Sequence, residues 1–319
     1  MYRFLVILST ALLLAGCTNP PTYRRTSGAA WGTTYHIIYK ADRDLSDSVV
    51  AEMRNVEKSL SMFDPTSRIS RINKGLTDTL DAKLADVFEI SMAVNKASGG
   101  MFDPTVAPLT DLWGFGRDGR DTPLPDSTAV LEALARTGLA KCRIDGIRIV
   151  KGHQDMEFDL SAVAKGYGVD CVAAMLRRNG VENFMVEIGG EVSLGGTNAK
   201  GQPWHIQVDA PWSGASSHDA LGVLELTDCA IASSGNYRNY REGADSTSRL
   251  GHTINPATGY PATTRSLATT VVAPTCGLAD ALATALMACD PDSAEDIISH
   301  FAHTSAIIVT SDSIFRIKN

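Results

Sequence analysis

Apolar residues recur along the chain with two periods, and the switch between them sketches the fold. Trp31-Gly-Thr-Thr-Tyr-His-Ile-Ile-Tyr39 is aromatic and β-branched, the composition of a first strand. From Ser46 to Met62 the apolar positions Val49, Val50, Met53, Val56 and Leu60 make a helical stripe, with Ser46 as its cap. Ser67 to Asn73 reads as a polar loop, and Leu80 to Ala97 as a second helix closed by Gly99-Gly100. The stretch from Gly100 to Gly116 is apolar yet broken by Pro and Gly, the pattern of an irregular segment that lines or covers a cleft. Asp118 to Pro125 is linker-like. Ser127 to Thr137 reads as a short helix, and Cys142 to Val150 as a strand pair turning at Asp145-Gly146.

The middle of the chain turns on Asp159-Leu-Ser-Ala-Val-Ala-Lys-Gly-Tyr-Gly-Val-Asp170. A strand end at Phe158 to Leu160, Ser161 as N-cap and a helix running to Gly180 are the expected elements. Asn183 to Glu191 follows as a strand ending in paired glycines. Trp204 to Val208, Leu221 to Leu226, Ala230 to Ser233, Leu250 to Pro261 and Ser266 to Val272 read as further strands. Cys276 to Ala288 and Ser293 to Phe301 are helical, and Ala306 to Thr310 with Ser313 to Ile317 closes as a hairpin. Strands and helices mix without βαβ alternation, which favours α+β over a doubly wound sheet.

Composition narrows the function classes. The chain has 319 residues, 44% of them hydrophobic and 20% charged, with a formal net charge of −7. That length supports a sizeable core, and the acidic balance without a Lys/Arg cluster argues against a nucleic-acid surface. The N-terminus adds a compartment. A basic start at Arg3, an apolar run from Phe4 to Leu14 and Leu14-Ala-Gly-Cys17 resemble a bacterial lipoprotein leader. The expected layout is a signal peptide over 1–16, a lipidated tether over 17–27 starting at an acylated Cys17, and a single domain over 28–319. The five later cysteines form no CxxC pair, so neither a zinc ribbon nor a redox motif is indicated.

Three groups of residues are candidates for chemistry. Asp280 and Thr284 stand at i, i+4 near the start of one helix, oxygen ligands of the kind Mg²⁺ takes. The same spacing also suits an acid steadying its own first turn. His252 lies at a strand end beside a turn, placed either as a general base or as a hydrogen-bonded core residue. Asp159 with Lys165 beside a helix start suits a ligand carrying phosphate. The Gly-rich turns match neither G-x-G-x-x-G nor a P-loop, and no G-x-S-x-G elbow is present.

Taken in order, the segments resemble the ApbE family of FAD:protein FMN transferases. The matching runs are Gly32-Thr-Thr-Tyr35, Ser61-Met-Phe-Asp-Pro65, Ser67-Arg-Ile-Ser-Arg-Ile-Asn73, Met101-Phe-Asp-Pro-Thr-Val-Ala-Pro-Leu109, Leu112-Trp-Gly-Phe-Gly116 and Asp159 to Tyr167. Glu187-Ile-Gly-Gly-Glu191, His252 to Pro261 and Cys276 to Ala285 complete the series. The resemblance implies a T-fold-like α+β domain with mixed, largely antiparallel sheets, packed helices and a nucleotide cleft between sub-domains. It also implies Mg²⁺-dependent transfer of FMN from FAD to a Thr or Ser hydroxyl, releasing AMP. Asp280, Thr284 and the Ala162 carbonyl would be metal ligands. Asp159, Lys165 and Ile254 would hold the nucleotide, and Met101, Phe102 and Asp103 would line its cleft. Trp31, standing where the family has Met, and Phe63 would be aromatic walls. His252, or Asp280 in its place, would help remove the hydroxyl proton. A carbonyl inside a regular helix is already bonded, so the Ala162 assignment requires an open first turn. The implied partners are flavin-carrying subunits of membrane redox complexes or extracytoplasmic reductases with a Ser/Thr target motif. The implied setting is the cell envelope, with a lipid anchor facing the periplasm or exterior. Two alternatives stand beside it: an FAD pyrophosphatase yielding FMN and AMP, which the same residues would serve, and a non-enzymatic flavin-binding lipoprotein, which has no need of Asp280 and Thr284 placed for a metal.

Overall fold

The computed structural model describes residues 20–117, 119, 123–211, 220–236, 240–243 and 249–319. In chain order, β1 (Thr22–Ala30) and β2 (Thr33–Ala41) form a hairpin, and α1 (Ser46–Leu60), α2 (Arg68–Asn73) and α3 (Ala82–Ala97) follow. A 3₁₀ turn at Pro104–Val106 leads into α4 (Ala107–Leu112), α5 (Ser127–Ala135) and the small hairpin β3 (Arg143–Asp145) and β4 (Arg148–Val150). Next come α6 (Ala164–Arg178), β5 (Phe184–Ile188), β6 (Glu191–Gly195), β7 (Trp204–Asp209) and β8 (Ala220–Leu226). The chain continues through β9 (Ala230–Gly235), β10 (Tyr240–Glu242), β11 (Arg249–Gly251), β12 (Ala268–Ala273) and α7 (Cys276–Ala288). It closes with α8 (Ala294–Ser299), β13 (Ser305–Val309) and β14 (Ile314–Lys318).

The fold is α+β, as the element pattern predicts. One sheet in the order β1-β2-β5-β6-β9-β12-β13-β14 is antiparallel at every described pairing. Along β9 the side chains alternate: Ala230 and Ala232 pack with helices, Ile231 with Trp204 and Val208 of β7. The helical layer therefore covers one face and the β7–β8 ribbon the other. α7 is buried at nearly every position, the all-round apolar pattern of a central helix. It lies against β9 and β12 and is flanked by α3 and α6. Gly166 makes the α6–α7 contact possible, since a Cβ there would stand 2.4 Å from the Cys276 carbonyl oxygen. Among the described residues no helix is long and apolar enough to cross a membrane.

Several local expectations change. Ser46, expected as a cap, is the first residue of α1, and the strand expected from Leu250 to Pro261 shortens to Arg249–Gly251. The run Ser67–Asn73 is not a loop: Ser67 caps α2 by accepting the Ser70 N–H at 3.1 Å, and Ile69 and Ile72 are fully buried. Two apolar residues three apart define a helical face too short for a periodicity argument to detect. β1 begins at Thr22, inside the stretch expected to be a tether, because all nine of its residues pair with β2. Trp31 is not in a strand. It occupies the two-residue hairpin turn with φ 52°, followed by Gly32 at 75°, the left-handed pair such turns require. The Gly100–Gly116 segment does cross a cleft, yet it contains α4. Finally, Phe158 to Leu160 forms no strand and Ser161 does not cap. Its N–H and hydroxyl both go to Asp159 Oδ1, and α6 starts only at Ala164.

Candidate active site

A cavity of about 350 Å³ opens where α7, the start of α6 and the Gly100–Val106 segment meet the ends of β6 and β9. Met101, Phe102, Asp103, Asp159, Ala162, Lys165, His252, Ile254, Asp280 and Thr284 all line it. Residues nearly two hundred positions apart in sequence thus converge on one space. Trp31 and Phe63 lie elsewhere, lining an adjacent and more apolar cavity of about 620 Å³ with Leu60, Met62 and Leu160. Ser161 and Lys165 border both cavities, so the two form one trough with a charged end and an aromatic end. Phe63 is 71% exposed, an apolar side chain held in solvent. Trp31 packs against α6 at Gly168, where an added Cβ would stand 2.3 Å from its ring.

Asp280 is the buried acid of α7, and its Oδ2 accepts the Gly166 backbone N–H at 3.0 Å. That N–H is the one that would otherwise close a helical turn onto Ala162 four residues back. Ala162 lines the cavity just ahead of α6, and the Gly166 N–H is not spent on its carbonyl. Thr284, one turn further along α7, is only partly buried and lines the cavity beside Asp280.

The charges here do not balance. Lys165 Nζ lies 2.6 Å from Glu191 Oε2, and that oxygen, although buried, takes no aligned hydrogen bond from it or any described group. Burial, reinforced by the Asp280 charge, pushes the Glu191 carboxyl up to about 8. Burial also pushes Asp280 up, opposed by the Lys165 ammonium and the Gly166 N–H. Burial opposes the Lys165 charge, yet the two carboxylates prevail and hold its pKa above the ordinary lysine value. Two acids thus share one base in a low-dielectric space, a cluster short of positive charge.

Other site residues have structural duties. Asp103 reaches the cavity, but Oδ1 accepts from the Thr105 N–H and hydroxyl, and Oδ2 accepts from the Leu139 N–H at 2.8 Å. Its carboxylate pins the irregular segment, and burial raises its pKa against those bonds. Asp159 binds Ser161 and takes the Thr110 hydroxyl at 3.2 Å, fixing the turn that leads into α6. Ile254 is buried against Leu109 and Trp113, holding the loop that carries His252. The His252 ring stands 6.4 Å from that of Phe115, edge to face.

Two important residues escape sequence reasoning. Glu191 sits in the Glu-Ile-Gly-Gly-Glu run, and an acid opening an otherwise fully buried strand is the signal it leaves. Asp170 accepts the Cys276 and Gly277 N–H groups at 2.9 and 2.8 Å, so α7 is capped from α6 rather than by its own Thr275. Nothing local to α7 announces that cap. Cys17 lies outside the described residues.

Comparison with known proteins bears on the family and the overall fold. The model of the ApbE family matches residues 31–308. An FAD:protein FMN transferase of Vibrio cholerae is 36% identical over 90% of this chain and 87% of its own length. One from Haemophilus influenzae is 32% identical over 99% and 94%. Among solved structures, the flavin transferase ApbE from Vibrio cholerae superposes with TM-score 0.83 at 31% identity, covering 93% of this chain and 98% of that one. The apo flavinyl transferase ApbE of Pseudomonas stutzeri gives 0.82 at 29% identity, covering 93% and 95%.

Proposed function

The chain belongs to the ApbE family, and we propose that it transfers the FMN half of FAD to a Ser or Thr hydroxyl of a partner protein, releasing AMP, with Mg²⁺ held at Asp280. The observation carrying this reading is the Asp280–Gly166 bond, which orients a buried carboxylate and keeps the Gly166 N–H off the Ala162 carbonyl. A cation fits these residues. The donors are all oxygens, as Mg²⁺ prefers, and the excess of buried acid over base favours added positive charge. Asp280, Thr284 and Ala162 would hold the ion. When bound, Mg²⁺ withdraws charge from the pyrophosphate and stabilises the departing phosphate of AMP.

The protein's own groups do the rest. Lys165 stands between the two halves of the trough, where its ammonium meets the bridging phosphates. Trp31 and Phe63 offer ring faces to one of the two aromatic ends of FAD. The acceptor Oγ attacks the FMN phosphorus, the anhydride P–O bond breaks, and AMP leaves with the electron pair. The hydroxyl proton passes to the His252 ring, which lines the same cavity. We further place the chain in the cell envelope, anchored by lipid at Cys17 and serving flavin-carrying subunits of redox complexes. The leader-like start and Leu14-Ala-Gly-Cys17 support that placement.

Mass spectrometry tests the reaction. The chain without its leader is incubated with FAD, Mg²⁺ and an acceptor domain, beside an Asp280→Ala control. An acceptor heavier by one FMN with the wild type alone is the expected result. Free FMN and AMP with an unmodified acceptor would instead identify a pyrophosphatase. FAD recovered intact would reduce the protein to a flavin binder.

A further inference from the structure

The sheet has an opening beside the active site. β5 and β6 are joined by a tight turn at Gly189 and Gly190, with φ 62° and 99°, so β6 begins only at Glu191. β9 lies antiparallel to β6, pairing Ser193 with Ala230 and Val192 with Ile231, and then continues to Gly235. On its other edge β9 stays paired with β12 down to Gly235 opposite Ala268. Among the described residues, the end of β9 therefore has one edge paired with β12 and one edge without a strand partner.

The polarity of that edge follows from the ladder. Leu194 donates its N–H to the Cys229 carbonyl at 2.8 Å, so the Cys229 backbone faces β6. N–H and C=O groups of one residue point to the same side of an antiparallel strand and alternate along it. Ile231, Ser233 and Gly235 thus face the β6 side as well. β6 covers Ile231, while Ser233 and Gly235 look into the space left by the Gly189-Gly190 turn. A cavity of about 430 Å³ occupies that space on the ribbon face, walled by Gly189, Gly190, Val192, His205, Gln207 and the end of β9. Ser233, Ser234 and Gly235 also wall the active-site cavity on the helical face. The two faces of the sheet communicate at this point.

We propose that this opening is the acceptor entry: an extended segment of the partner protein adds as a strand to the free edge of β9 at Ser233 and Gly235. This inference rests on the transferase reading and identifies how its second substrate reaches the site. A folded domain does not fit a cavity of about 350 Å³, so the hydroxyl must arrive on a narrow extended segment. An open strand edge binds such a segment through backbone groups and is tolerant of its sequence. Successive side chains of an added strand point to opposite faces, so one residue reaches the helical side, toward Asp280 and His252, while its neighbours rest in the ribbon-side cavity. Entry through the sheet also brings the nucleophile from a different direction than the Trp31–Phe63 trough, the arrangement in-line displacement needs when the departing AMP half lies in the trough.

Two substitutions test the entry. Ser233→Trp fills the opening. Ser233→Pro removes the N–H facing it and spares the ladder to β12, whose bonds come from Ala232 and Ser234. Both are assayed with the acceptor domain for which wild-type transfer is measured, and FAD affinity is followed by flavin fluorescence. Loss of roughly tenfold or more in kcat/KM for the acceptor, carried mainly by KM, with FAD affinity within about twofold, is the expected result. Wild-type transfer by both variants overturns the entry. So does a matching loss of FAD affinity, which would assign the opening to the nucleotide. If the wild-type chain leaves the acceptor unmodified, the transferase reading itself fails, and the entry falls with it.

Discussion

Gly166 and Asp280 are joined by a single hydrogen bond of 3.0 Å from the backbone of α6 to the carboxylate of α7. The bond serves two ends of the site together. It fixes the orientation of a buried acid, and it diverts the N–H that would have occupied the Ala162 carbonyl. The lack of a side chain at Gly166 is what lets the helices approach closely enough to make it, since a Cβ would come within 2.7 Å of the Asp280 Cβ.

Gly166→Ala therefore costs more than its single methyl suggests. Helix propensity alone favours Ala over Gly by up to about 1 kcal/mol, yet the added Cβ collides with backbone that cannot rotate away. We expect a net loss of about 1–3 kcal/mol in urea denaturation. FAD turnover assayed with added Mg²⁺ should fall by at least roughly tenfold, because α6 moves and Asp280 loses its donor. An unchanged midpoint would show that the interface has slack.

Asp170 supplies the second tie between these helices. Removing its carboxylate in Asp170→Ala orphans two N–H groups at the start of α7, with an expected cost of about 1–2 kcal/mol. Asp170→Asn should recover part of that loss, because the amide oxygen can accept one of the two bonds. Equal denaturation midpoints for the two variants would remove capping as the explanation.

These ties mark the limit of what the sequence conveys. Asp280 and Thr284 are legible because a helix imposes one spacing on both, and Lys165 because it shares a turn with a helix start. Strand alternation and turn residues likewise disclose most of the α+β framework. Glu191 and Asp170 are not legible. Their partners lie 26 and 106 positions away or more, across packing contacts that no local pattern encodes. α2 is too short to display a period, and β1 is polar because it lies at the sheet edge with one face in solvent. Asp103 illustrates a different gap. Its place at the cleft is readable, whereas its commitment to Thr105 and Leu139 emerges only from the folded loop.

The aromatic end of the trough separates binding from folding. Phe63 is 71% exposed, so Phe63→Ala should change stability by less than about 0.5 kcal/mol. If it stacks on FAD, Kd should rise roughly tenfold, equivalent to about 1.4 kcal/mol. Trp31→Ala removes a ring packed on Gly168, so it should weaken FAD binding and also cost about 2 kcal/mol of stability. Isothermal titration beside thermal melting distinguishes the two patterns. Unaltered FAD affinity in both variants would move the ligand's rings out of this cavity.

The surplus of buried acid near Lys165 has a consequence for pH. The Glu191 carboxyl is raised from 4.5 to about 8 in the folded chain, so the folded state binds a proton that the unfolded state releases. Stability must then fall as pH rises from about 4.5 to about 8, the window in which only the folded state holds that proton. The metal-free chain should melt at a lower temperature at pH 8.5 than at pH 6, and Glu191→Gln should flatten the slope. A cation bound at Asp280 works in the opposite sense, because it favours the ionised forms. Added Mg²⁺ should accordingly raise the melting temperature more at pH 8.5 than at pH 6, and chelation should reverse the gain. A melting temperature that is flat across this range without metal, with or without Glu191, would mean that Lys165 already neutralises the cluster.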